Sequence, residues 1–437
     1  MADCSPRCAS DKWGGNPPPM KTIHRRTLGV LFFCFMPWLA PCRADFALRD
    51  GDRVVFLGDS ITAARRYDRI IENYTLLRFP SRRVQFFNAG KGGDTAEGGL
   101  ERLERDVFSR GATVAIVAFG TNDIGWGVKA DEEHKQKYLS GIRGIVEECN
   151  KRKVRAFICS EPVTNEDPEK AEKSFLQKMC DEGLELARSL GAGTIDIQRP
   201  MREVQKRVLA HNKTIHDPAK HVKLHAADGV HLIELGHMAM AFAILKGLGA
   251  PAEVSAVKID AKKPALIAAE GCTATNLRGG KEIEFDRLDE GWPINFGTFG
   301  ALNFWYIPFP AEFGRYMLTV TGLNAGSYEV FAGNRKLGKF SDKQLAAGMN
   351  IAFSTANAWE PGGPWDAQAA ALMRVTDARF EITVAQWHEE NFQAEHPAID
   401  SLRAESARVV EQLDSLQRAI AKPFPVHFLI RPTGDPQ

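Results

Sequence analysis

Apolar and polar residues alternate along this chain in two textures. From residue 52 to about 250, short apolar runs take turns with longer stretches whose apolar residues recur every three or four positions. The runs at 54–57, 84–88, 114–119, 154–160 and 194–197 predict buried strands. The stretches at 67–77, 98–108, 136–149, 170–190, 199–210 and 236–248 predict helices. In 136–149, Tyr138, Leu139, Ile142, Ile145 and Val146 fall on one side. Gly191 is placed to end the helix before it. Short apolar strands alternating with helices predict a parallel sheet covered on both faces.

After about residue 254 the texture changes. Residues 256–355 are strand-like and rich in Gly, Phe and Asn, and 281–286 alternates with period two. The runs 316–320 and 327–331, joined across 324–326, read as a hairpin, and Gly333-Asn334 is placed to turn a further strand. A small antiparallel β module is expected here. Residues 362–421 return to helix, with Leu402, Val409, Val410, Leu413 and Leu416 at apolar spacing. The predicted division is a leader (1–44), an α/β domain (45–254), a β-rich module (255–355) and a helical C-terminal segment (356–437).

The leader has a basic start at Lys21, His24, Arg25 and Arg26, then an apolar run at 28–39 too short to span a bilayer comfortably. Cys42-Arg43-Ala44 offers a small-x-small cleavage site. This is the layout of an export signal, removed near Ala44, and it predicts a secreted or periplasmic protein. A buried helix fits less well, because Pro37 interrupts the run. Met20 is an alternative start, and Arg25-Arg26 permits a twin-arginine route. No spanning stretch follows residue 44, so no membrane span is expected in the mature chain. Lys and Arg number 56 against 55 Asp and Glu, which gives no electrostatic reason to expect nucleic acid as a partner. Beyond the leader the cysteines are Cys149, Cys159, Cys180 and Cys272, with no Cys-x-x-Cys pair. They read as buried thiols, with a disulfide left open by export.

Candidate chemistry lies at the ends of the predicted strands. The first runs into "GDS", which sets Ser60 where a core strand stops. The second ends in "NAGKGGDT" (88–95) and the third in "FGTNDIGWG" (119–127), while "ADGVHL" (227–232) comes late. Strand-end loops of a parallel sheet converge on one edge. Ser60 supplies an oxygen nucleophile, weak until a base takes its proton. His231 is a suitable base, and Asp228, three residues earlier, can fix its tautomer. Ser60 N–H, Gly93 N–H and the Asn122 amide can form an oxyanion hole. Taken singly, each has an ordinary reading: a turn glycine, a helix cap, a polar loop residue. Their conjunction and order point to acyl transfer.

These blocks resemble those of the SGNH hydrolases, the GDSL esterase/lipase superfamily. Ser60 matches the serine of the first block, Gly93 the glycine of the second, Asn122 the asparagine of the third, and Asp228 with His231 the Asp-x-x-His of the last. Leu232 departs from the proline that many members carry after the histidine. The resemblance covers about residues 50–250. It implies a flavodoxin-like three-layer α/β/α fold and serine-dependent ester hydrolysis without a cofactor, and says nothing of the appended β module.

Two further features bear on the substrate. Six histidines fall within 211–237, but their spacing lacks the paired histidines and carboxylate of a zinc-protease helix, so no metal is expected. This segment is expected to roof part of the site. Trp126 is a possible substrate contact, able to stack on a sugar ring or simply to pack the loop. The expected activity is hydrolysis of short, above all acetyl, esters, with a small ester or an acylated glycan as substrate. A lipid or lysophospholipid acylhydrolase and a non-catalytic glycan-binding protein are the alternatives. Oligomeric state is not legible.

Overall fold

In a computed structural model the strand-forming runs become five parallel strands. They are β1 (Arg53–Gly58), β2 (Gln85–Gly90), β3 (Val114–Ala118), β4 (Arg155–Cys159) and β5 (Gly193–Ile195). The structure describes residues 46–392 and 395–433. The leader predicted over residues 1–44 lies outside the described residues. The strand order is β2-β1-β3-β4-β5, with Val54 paired to Phe86 on one side and Val114 on the other. The order reverses beside β1, which makes the β1 end the switch point where open α/β sheets hold ligands.

Among the described residues nine α-helices accompany this sheet: α1 (Ser60–Ala63), α2 (Tyr67–Arg78), α3 (Ala96–Glu101), α4 (Leu103–Asp106), α5 (Glu132–Lys151), α6 (Pro168–Glu172), α7 (Phe175–Ser189), α8 (Gln198–Asn212) and α9 (Glu234–Gly247). Alternate strand residues face opposite sides. Val54 and Phe56 pack with Tyr67, Ile71, Met201 and Ile244, from α2, α8 and α9. Val55 and Leu57 pack with Ala96, Ile142, Ile145 and Met179, from α3, α5 and α7. The result is the expected three-layer α/β/α fold.

Two predicted helices are broken. The 98–108 stretch splits into α3 and α4 at Arg102, which leaves helical geometry (φ −104°, ψ 9°). Its buried guanidinium donates to Gly58 O, Ala89 O and Asp94 Oδ2 at 2.7–3.0 Å, and so ties the ends of β1 and β2 together. The 170–190 stretch splits because Ser174 caps a new helix through Gln177 N, while Asp167 caps the earlier one before Pro168.

The later strands are β6 (Glu253–Asp260), β7 (Ala265–Glu270), β8 (Cys272–Arg278), β9 (Ile283–Asp289), β10 (Arg315–Thr321), β11 (Ser327–Ala332), β12 (Arg335–Ser341), β13 (Met349–Asn350) and β14 (Val426–Pro432). With them come α10 (Gly297–Ala301), α11 (Phe309–Phe313), α12 (Asp342–Ala347), α13 (Pro364–Phe392) and α14 (Ile399–Ala421). The strands form two sheets, ordered β13-β10-β6-β7 and β12-β11-β14-β9-β8. Pairing is antiparallel except between β6 and β10.

The expected hairpin at 316–331 does not form: β10 and β11 belong to different sheets. The 324–326 turn carries the chain from one sheet to the other instead. The turn at Gly333-Asn334 does join a hairpin, β11 to β12, with Gly333 at φ +57°. The segment expected to be wholly helical ends in β14, which inserts between β11 and β9.

The C-terminal helices seal the free edge of β2. Arg379 of α13 and Arg418 of α14 donate to Phe86 O and Val84 O. Arg379 also pairs with the buried Glu72 of α2 at 2.5 Å, and Gln417 donates to the other Glu72 oxygen at 2.8 Å. An edge strand otherwise offers unpaired backbone to other chains. Cys149, Cys159 and Cys180 are buried free thiols, and Cys272 is a partly buried one. Among the described residues no helix is long and apolar enough to cross a membrane.

Candidate active site

The turn from β1 to α1 leaves little freedom around Ser60. A Cβ on Gly58 would lie 2.2 Å from Thr62 Oγ1 and 2.8 Å from Ala118 O, so only glycine lets the strand end this close to the helix. Asp59 then caps α1 by accepting from Ile61 N at 2.9 Å. Ser60 is the first residue of α1, and a first-turn N–H has no partner within its own helix.

Ser60 Oγ lies 2.9 Å from His231 Nε2, and His231 Nδ1 lies 2.7 Å from Asp228 Oδ2. Asp228 Oδ1 also accepts from the N–H groups of Val230 and His231. The Val230 N–H, the His231 ring and the His231 N–H together hold the Asp228 carboxyl down to about 2. An ionised Asp228 can only accept, so Nδ1 carries the proton and the Nε2 lone pair faces the Ser60 hydroxyl. The sequence-predicted Ser60, His231 and Asp228 are thus brought together in hydrogen-bonded series.

Asp228 and His231 sit on a short hairpin. Ala226 N donates to His231 O, and Ile233 N to Leu224 O. Glu166, from the loop after β4, accepts from Leu224 N, His225 N and His225 Nδ1 at 3.0–3.2 Å. Burial raises the Glu166 carboxyl, but the hydrogen bonds from the His225 ring and the two N–H groups outweigh it and hold the group low. Sequence reasoning missed Glu166, because nothing in "VTNEDP" signals a contact with a loop so far along the chain. His225 is buried, and its other ring nitrogen lies 2.6 Å from Val163 O. His237 stacks on Tyr67, and His211 packs edge-on to Tyr306. Among the described residues no group of three or more His, Cys, Asp or Glu is arranged to hold a metal ion.

Asn122 stands at the end of β3 with both ends of its amide engaged. Its Nδ2 donates to Asp59 Oδ2 at 2.9 Å, and its Oδ1 accepts from Trp126 Nε1 at 3.0 Å. This fixes the amide orientation and leaves one N–H beyond the Asp59 bond. Trp126 has a left-handed backbone (φ 58°), which costs a bulky residue on the order of 1–3 kcal/mol. Its N–H bonds to Thr121 O, and its ring meets the His231 ring edge-on at 5.5 Å, so contacts on three sides hold it there. It remains 50% exposed. Gly93 follows β2 in a turn at φ +74°, with open space where a Cβ would stand. Its neighbour Asp94 is pinned by Arg102.

The chain matches the GDSL-like lipase/acylhydrolase family over residues 56–239. No curated protein matches it. Among solved structures it is similar to BT4096, a gut microbial diltiazem-metabolizing enzyme, at 25% identity with a TM-score of 0.77 over 90% of this chain and 100% of that one. It is similar over a smaller share to LAE5, an alpha/beta hydrolase from the metagenome of Lake Arreo, Spain (22% identity, TM-score 0.39, 47% of this chain and 98% of that one). The same holds for Axe2, an acetylxylan esterase from Geobacillus stearothermophilus (20% identity, TM-score 0.40, 46% of this chain and 96% of that one). The family match runs from within β1 through the rest of the parallel sheet and every strand-end loop described above, so residues 56–239 are a GDSL-like lipase/acylhydrolase domain and the chain that carries them is a carboxylic ester hydrolase.

Proposed function

We propose that this chain is an exported serine esterase that removes short acyl groups, above all acetyl, from carbohydrate. One observation carries the catalytic part: the hydrogen-bonded series Ser60–His231–Asp228 at 2.9 and 2.7 Å. Ser60 Oγ attacks the ester carbonyl as His231 Nε2 takes its proton, and Asp228 stabilises the imidazolium that forms. The oxyanion is held by the N–H groups of Ser60 and Gly93 and by the Asn122 amide. His231 then returns its proton to the leaving alcohol, and water attacks the acyl-serine by the same route in reverse. No step asks for a cofactor.

The preference for short acyl groups is supported by the small residues at the strand ends. Gly92, Gly93 and Gly127 have open space where a Cβ would be, so they offer no apolar wall to a long chain. Each buried CH₂ needs such a wall to contribute its roughly 0.8 kcal/mol. The half-exposed ring of Trp126 beside His231 supports a flat, sugar-sized leaving group. The likeness to BT4096 over its whole length supports a small substrate over a lipid.

Wild type and Ser60→Ala are to be compared on p-nitrophenyl esters from acetyl to palmitoyl, and then on acetylated xylan. The expected result is a kcat/KM maximum at acetyl, and a loss in Ser60→Ala on the order of a thousandfold or more in kcat. A maximum at octanoyl or longer would favour the lipid reading. Ser60→Ala within tenfold of wild type would remove Ser60 as nucleophile. N-terminal sequencing of protein from the native host tests export, with cleavage expected near Ala44.

A further inference from the structure

Behind Ser60, Asp59 and Glu161 form a buried carboxyl pair, 2% and 1% exposed, whose hydrogen bonds do not balance. Both Asp59 oxygens accept, one from Ile61 N–H and the other from Asn122 Nδ2. Neither Glu161 oxygen receives a well-formed hydrogen bond from a described N–H or O–H group. What Glu161 meets is the Asp59 carboxyl itself, with Asp123 and the Thr121 hydroxyl beside it. Gly120 permits the approach: at φ +155°, a Cβ there would stand 3.0 Å from Glu161 Cβ. The nearby Tyr138 and Cys180 bring no positive charge, and His231 and Asp94 act on the Asp59 side.

Two carboxylates in contact and out of water cannot both be ionised. One proton must lie between them. Asp59 already accepts a well-formed N–H bond at each oxygen, whereas Glu161 has only the Thr121 hydroxyl beside it. We propose that Glu161 keeps its proton and donates an O–H hydrogen bond to Asp59, making Glu161 a positioning residue that holds the carboxylate aligning the Asn122 amide. Burial, reinforced by the Asp59 and Asp123 charges, raises the Glu161 carboxyl well above the usual range, in the same direction. No proton is transferred in this arrangement. Asp59 is clamped by three donors, and the Asn122 N–H is pre-aimed before substrate arrives.

This inference rests on the reading of Asn122 as an oxyanion donor, and three variants keep the two apart. Glu161→Gln supplies an amide N–H in place of the O–H, so kcat on p-nitrophenyl acetate is expected within about threefold of wild type. Glu161→Met fills the space without a donor, so kcat is expected to fall about ten- to a hundredfold with KM nearly unchanged. In an Asn122→Ala background, Glu161→Met is expected to add no further loss. Infrared difference spectra should show the carbonyl stretch of a protonated carboxylic acid, lost in Glu161→Gln. That readout stands even where Glu161→Met does not fold. Absence of the band from wild type, Glu161→Gln as impaired as Glu161→Met, or wild-type kcat in Glu161→Met would each overturn the proposal. Wild-type kcat in Asn122→Ala alone would instead overturn the reading of Asn122, leaving the shared proton to the infrared test.

Discussion

Trp126 Nε1 donates to Asn122 Oδ1 at 3.0 Å while the same ring lies edge-on to His231, so one side chain braces the proposed oxyanion donor and the proposed base. Trp126→Phe keeps the ring but not the N–H. A hydrogen bond of about 1 kcal/mol net gives an expected fall in kcat of about fivefold, seen in steady-state kinetics on p-nitrophenyl acetate. An unchanged kcat would mean that Asp59 alone orients the amide.

Asn122→Ala is expected to lower kcat about a hundredfold and to leave KM nearly unchanged, because the amide matters mainly once negative charge has formed. A rise in KM at constant kcat would assign Asn122 to ground-state binding instead.

Asp228 is held at about 2, so it stays ionised wherever the enzyme works and does not itself produce the acid limb of the rate profile. Asp228→Asn removes a negative neighbour from His231. The plateau rate should fall by about a thousandfold or more as the tautomer is lost. A plateau rate within tenfold of wild type would remove Asp228 as the group that fixes the His231 tautomer.

His237 gives a stability prediction with a definite sign. Burial, with Arg66 and Arg69 nearby, lowers its pKa from 6.5 to about 3. Between those values the unfolded chain binds the proton and the native one does not. Acidification through that window therefore favours unfolding, by up to about 1.4 kcal/mol per pH unit. His237→Gln should flatten that part of the urea-unfolding profile relative to wild type. The raised carboxyls of Asp59, Asp68 and Asp366 act in the opposite sense, but they are common to both proteins. Parallel profiles would show that His237 is protonated in the native state.

Arg379→Leu strands the buried Glu72 and removes a donor from the edge of β2. The expected cost is about 3–5 kcal/mol in urea unfolding, with much of it restored when Glu72→Leu is added. A cost under about 1 kcal/mol would mean that Gln417 alone satisfies Glu72.

The parallel sheet was legible because its strands are short, apolar and separated by helical spacing, as in Val54–Leu57 before Ser60. Ser60 and Asn122 were legible because strand-end loops must converge, and Asp228 with His231 because an acid three residues before a histidine can reach its ring. Arg102, Glu166 and Glu161 were not. Each works through a partner distant in sequence or through an imbalance of donors, and neither leaves a periodic mark. The false hairpin at 316–331 had correct strands and a plausible turn. Strand pairing, however, depends on side-chain fit across sheets, and β10 finds β6 instead of β11. The strand β14 was passed over because it follows directly on helical periodicity.

The place of β14 sets an order of assembly. It lies between β9 and β11, so until residue 432 has been synthesised both of those strands present bare edges. The earlier sheet, β2-β1-β3-β4-β5, has all its strands by residue 195 and can pair early, with only the edge of β2 left to wait for Arg379 and Arg418. The second half cannot be completed in step with the ribosome. A chain stalled between residues 332 and 426 carries both of these adhesive edges, the condition under which partly made proteins associate with one another.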